Sequence, residues 1–147
     1  MRWLLLVLLV SLPTATAVPG GAYLNPYSHH GSAVDLKGVR HQGSEYSGNL
    51  PWLNGRLKSV APKYPYRERL DHHQGRGIVR LTLDVKTGSV TKATVIKSTG
   101  FPALDNSAVV AFKQWTWKAG KWKEIDLPVT FDLSGTPPLP QEVPLSR

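Results

Sequence analysis

Residues 125–133 constrain the fold more than any other stretch. Ile125, Leu127, Val129, Phe131 and Leu133 alternate strictly with Asp126, Pro128, Thr130 and Asp132. A period of two is that of a half-buried strand, with the first set on a core and the second toward water. Pro128 has no N–H to give, so the strand needs one side on which that donor is not required, and this predicts a place at the sheet edge. An edge carries unpaired N–H and C=O groups that another chain can pair with. Within a strand the amides alternate in direction. If Pro128 faces outward, Asp126, Thr130 and Asp132 offer the outward amides, and a partner pairs best toward Thr130 and Asp132.

Upstream, Val79, Leu81, Leu83 and Val85 alternate with Arg80, Thr82 and Asp84, and Lys86-Thr87-Gly88-Ser89 supplies a turn into a second strand over 90–98. Gly75-Arg76-Gly77 reads as the break before that hairpin. A helix opens at Pro102, where Leu104, Ala108, Ala111, Phe112 and Trp115 form one stripe of helical period. Pro65 sets up a short helix over 66–70. A hairpin followed by a helical crossover puts the last strand antiparallel beside the first. The expected fold is therefore α+β: a three-stranded antiparallel sheet in the order two-one-three, with two helices on one face. The expected core is Leu81, Leu83, Leu104, Ala108, Phe112, Trp115, Val129 and Phe131.

Residues 1–17 have the pattern of a cleaved signal peptide. Arg2 precedes an apolar run that stops at Pro13, and Ala15-Thr16-Ala17 fits the cleavage rule. The run is too short for a spanning helix, which needs ~20 apolar residues, so export to the periplasm or cell envelope is expected, with no transmembrane segment after cleavage. Residues 18–58, punctuated by Pro19-Gly20-Gly21, Asn25-Pro26, Gly31-Ser32 and Gly43-Ser44, read as a flexible leader, with Trp52 and Leu53 positioned to dock. The domain is expected over 59–135, and residues 136–147 form a proline-rich tail.

Several short motifs recur in one order: Tyr64-Pro65, Leu81-Thr82-Leu83-Asp84 with Gly88-Ser89-Val90, Lys97-Ser98-Thr99-Gly100, Leu104-Asp105-Asn106-Ser107-Ala108, Gln114-Trp115-Thr116-Trp117-Lys118 and Leu127-Pro128-Val129-Thr130-Phe131. Together they resemble the C-terminal domain of the energy-transducer TonB family over about residues 61–135. The resemblance implies a periplasmic domain that grips a peptide segment of an outer-membrane transporter, or of another envelope protein, by adding a strand to its sheet. The matching strand is 125–133, and Asp126, Pro128, Thr130 and Asp132 are its partner-binding edge. Two features depart from a full energy transducer: the membrane anchor is replaced by a cleavable signal, and the spacer is short and rich in Gly, Ser and His. These fit an accessory that binds the same kind of partner, or a reuse of the fold.

Other chemistries are weaker in the sequence. His29-His30 and His72-His73 are adjacent pairs without the His-x-x-x-His spacing, and there is no cysteine, so no metal or cofactor is expected. Asp71 beside His72 lacks a companion nucleophile, so no enzymatic activity is expected. The alternatives are a small envelope metal-binding or catalytic protein using His72 and His73, and a basic module adhering to cell wall through the net charge of +8. Nucleic acid is not an expected partner of an exported chain. An exposed edge also permits a strand-exchanged homodimer.

Overall fold

In the computed structural model, which describes residues 21–23, 31–47 and 49–134, the alternating stretch lies inside a sheet. The elements in chain order are β1 (Gly21–Tyr23), β2 (Ser32–Asp35), β3 (Arg40–Gln42), a 3-10 turn at Gly43–Glu45, α1 (Pro51–Asn54), β4 (Arg56–Lys58), α2 (Tyr66–Leu70), β5 (Gly75–Leu83), β6 (Val90–Lys97), α3 (Pro102–Phe112), β7 (Thr116–Trp117) and β8 (Trp122–Asp132). The main sheet runs β3-β2-β8-β5-β6, and β1 also pairs with β8. A separate pair is formed by β4 and β7.

The hairpin of β5 and β6 and the antiparallel docking of β8 on β5 give the expected two-one-three order as the heart of a larger sheet. Register puts Val79 opposite Leu127 and Leu81 opposite Ile125 on the core face, and Arg80 opposite Asp126 on the other. α3 packs on β5 and β6. Leu81, Leu83, Leu104, Ala108, Phe112, Trp115, Val129 and Phe131 are all buried in one cluster. Trp115 lies past the end of α3, and its indole N–H donates to the Val60 carbonyl at 2.8 Å. α2 contributes no buried residue.

Three expectations need correction. First, the last strand is not at the edge: β5 takes one side of β8, and β1 and β2 take the other. Second, the leader from residue 31 is folded. Leu50 and Trp52 enter the core cluster, and the Trp117 indole N–H donates to the Trp52 carbonyl at 2.7 Å. Strands of three or four residues fall below the length at which periodicity is visible, and their stability comes from packing. Third, Gly75-Arg76-Gly77 begins β5 and does not interrupt it. A side chain at Gly75 would collide with the Thr99 carbonyl, and one at Gly77 would sit 2.8 Å from the Lys97 carbonyl. The glycines mark a close approach of backbone. The signal segment, His29-His30 and the proline-rich tail lie outside the described residues.

Candidate binding edge of the central strand

The side of β8 that faces away from β5 is the surface on which Asp126, Pro128, Thr130 and Asp132 were expected to act. Its main-chain orientation is fixed by Pro128. A methyl group at Gly31, on the leader side, would lie 3.3 Å from the Asp126 carbonyl oxygen and 3.4 Å from Pro128 Cδ. Cδ stands where the amide hydrogen would be, so Pro128 turns its missing donor toward the leader. The alternation of strand amides then turns those of Asp126, Thr130 and Asp132 the same way.

The leader occupies this edge in two pieces. Gly21–Tyr23 pair antiparallel with residues 130–132, and Ser32, Ala33 and Val34 pair with Asp126, Ile125 and Glu124. Between the Tyr23–Thr130 and Ser32–Asp126 pairs the leader advances nine residues while β8 advances four. Gly31 stands beside Pro128, where β8 has no N–H to offer.

The β2 half is fastened by an ionic cluster. Asp126 is only 5% exposed although it lies on the face opposite the core. Arg80 grips it through two bonds, Nε to Oδ1 at 2.8 Å and Nη2 to Oδ2 at 2.9 Å. This paired geometry is the strong form of a carboxylate contact, and the Asp126 carboxylate holds Arg80 above its ordinary pKa against the opposing effect of burial. From the leader, two groups donate to Asp126 Oδ2: the Ser32 hydroxyl at 3.0 Å and Arg40 Nη1 at 3.2 Å. Arg40 Nη2 also reaches Glu124 Oε1 at 2.5 Å. The β2–β3 turn is set by Asp35, whose carboxylate accepts the Lys37 and Val39 amides and contacts His41, while Gly38 supplies φ +88°. His41 and these amides hold Asp35 below its ordinary pKa.

The β1 half pairs through main chain, Gly21–Tyr23 against residues 130–132. Thr130 lies between Tyr23 and Arg76 in the sheet. Asp132 accepts the Ser134 amide and hydroxyl, which hold its carboxyl below the ordinary range. The opposite border of the sheet, β6, is a poorer platform. Its register with β5 shifts at two places, leaving Thr91 and Ile96 as extra residues, and Lys92 and Lys97 are exposed along it. Bulges and lysines of this kind discourage pairing at an edge.

The histidine pair does not form a centre. His73 Nδ1 donates to Glu68 Oε2 at 2.8 Å and its ring stacks on Phe101 at 4.1 Å, while His72 is exposed at φ 54°. Among the described residues no group of three or more His, Cys, Asp or Glu comes together. Sequence reasoning missed Gly31, Ser32 and Arg40. The signal for them was Ala33-Val34 and Val39-Arg40 flanking a Lys37-Gly38 turn, which is the pattern of a small hairpin. No helix among the described residues is long and apolar enough to cross a membrane.

A family model described as Gram-negative bacterial TonB protein C-terminal matches residues 60–133. The chain is similar to Protein TonB of Neisseria meningitidis serogroup C, 33% identical over 103 residues that cover 69% of this chain and 36% of that protein. It is also similar to Protein TonB of Neisseria gonorrhoeae, 34% identical over 87 residues, 59% of this chain and 30% of that protein. The chain thus spans about a third of the length of these relatives. No solved structure matches. The elements β1 to β4 all lie upstream of the matched residues.

Proposed function

Because the chain belongs to the TonB C-terminal family through residues 60–133, we propose that it is a periplasmic partner-binding module. It recognises an extended segment of an outer-membrane transporter, or of another envelope protein, by strand addition along β8. It is a binding protein and not an enzyme. The observation that carries this reading is that residues 21–23 already lie on the edge as a short antiparallel strand. That side of β8 is therefore built to receive main chain, and a partner segment takes the place of β1. Such binding draws affinity from backbone hydrogen bonds and selectivity from the side chains beside them. Export with cleavage after Ala17 would leave β1 close to a free N-terminus, where fraying is easiest.

The test is cross-linking in the native envelope from a photoreactive residue at position 130, with position 97 on β6 as the control. Adducts with a transporter from 130 and not from 97 are expected. Adducts from 97 alone would move the binding edge to the other side of the sheet. A product joining two copies of the chain from position 130 would make the strand-exchanged homodimer the occupant. If neither position yields an adduct, strand addition is refuted.

A further inference from the structure

β2 is held to β8 by more than main-chain pairing. β2 brings Ser32 and, through its hairpin with β3, Arg40 onto a carboxylate that is almost wholly buried and already gripped by Arg80. Withdrawing β2 would strip Asp126 and Glu124 of these leader contacts, and breaking a buried ion pair is strongly unfavourable. It would also strip the core of Ala33, which is 0% exposed, and disturb Trp52, whose ring lies beside Gly31. β1 is three residues long and pairs with β8 at residues 130–132, apart from the residues that β2 takes. The β2 half of the edge is therefore a permanent part of the sheet.

We infer that the cluster of Ser32, Arg40, Arg80, Glu124 and Asp126 acts as a stop that confines an incoming strand to residues 127–132 of β8. This rests on the strand-addition reading and deepens it. Ser32 and Arg40 are positioning residues, because they touch no partner and act by keeping β2 in place. The recognised segment is then a short extended peptide, about as long as that stretch, whose end abuts Gly31. Paired residues share a face of the sheet. Side chains opposite Val129 and Phe131 point toward the core and are small or apolar, whereas those opposite Thr130 and Asp132 lie on the outer face and are polar. Opposite Pro128 the segment receives no N–H donor.

Hydrogen exchange on the intact chain tests the stop without any partner, since local opening sets the exchange of each amide. The Asp126 amide is expected to exchange at least about tenfold more slowly than those of Thr130 and Asp132. In Arg40→Ala the Asp126 amide should approach the rate of Thr130 while Leu127, whose amide faces β5, stays protected. Should Arg40→Ala unfold, Ser32→Ala gives the same comparison with a smaller effect. Equal protection of Asp126 and Thr130 in the unaltered chain overturns the stop, as does an unchanged Asp126 rate in a folded Arg40→Ala variant. A synthetic peptide copying residues 18–25 of this chain then serves as the incoming strand. It should slow exchange at Thr130 and Asp132 while the amides of β2 keep their protection. Loss of β2 protection on adding the peptide overturns the stop. If the peptide slows neither amide while the asymmetry of the free chain persists, strand addition fails and the fixed β2 stands.

Discussion

Trp52→Ala decides whether the upstream segment is part of the folded unit. Trp52 is fully buried and meets Tyr46 and Trp122 edge to face. A buried tryptophan withdraws roughly 150–250 Å² from water, about 4–6 kcal/mol at ~25 cal/mol per Å². Its buried indole N–H has no partner among the described residues, which offsets about 1–3 kcal/mol. The carbonyl of residue 52 still accepts from Trp117 in the variant, because that bond uses the backbone. The net loss is about 3 kcal/mol, at the low end for tryptophan-to-alanine changes in cores. Trp52→Phe keeps most of the burial and removes the unpartnered donor, so it should lose under about 1 kcal/mol. Urea unfolding of the full chain followed by far-UV circular dichroism reads both variants. A Trp52→Ala stability within about 0.5 kcal/mol of the unaltered chain, the range for exposed positions, would refute the docking of the leader. So would a Phe variant weaker than the Ala variant.

Two further outcomes are expected. Gly75→Ala should lose about 3 kcal/mol or more, because its methyl group meets the Thr99 carbonyl and backbone cannot move aside; Gly100→Ala, strained only by φ +97°, should lose about 1–2 kcal/mol, and thermal melts rank the two. Burial raises the pKa of Asp105, but hydrogen bonds from the Ser98 hydroxyl, the Thr99 amide and the Thr99 hydroxyl outweigh it and hold the carboxyl below its ordinary range. A depressed carboxylate contributes stability that is present above its unfolded pKa of about 3.9 and is lost as pH falls through the folded value. Asp105→Asn should therefore be less stable than the parent at pH 7, with the gap closing in acid. An equal gap in urea midpoints at neutral and acid pH would refute it.

Much of the family-matched region was legible because its elements are long enough to show their period. Val79, Leu81 and Leu83 of β5 and Ile125 to Phe131 of β8 display it directly, and Leu104, Ala108, Ala111 and Phe112 mark the buried face of α3. Pro128 turns its Cδ away from β5, toward Gly31 of the leader. It misled about what lies there. A proline excludes a donor at one position, and neighbours that pair to either side of that position satisfy the condition as well as open solvent does. Ser32-Ala33-Val34-Asp35 is too short to announce itself, and Arg40 meets Asp126 across 86 residues. Contacts of that separation leave no trace in local pattern.

The sequence by itself determined the hairpin, the crossover helix and the alternation of β8, because each depends on residues two to four apart and on turn glycines such as Gly88 at φ +75°. Only the tertiary structure decided whether the outer side of β8 is vacant, since vacancy depends on where distant backbone ends up. The upstream chain settles there because Trp52 and Ala33 complete a core that β5, β8 and α3 leave open, and because Arg40 and Ser32 satisfy a carboxylate that would otherwise be buried with fewer partners.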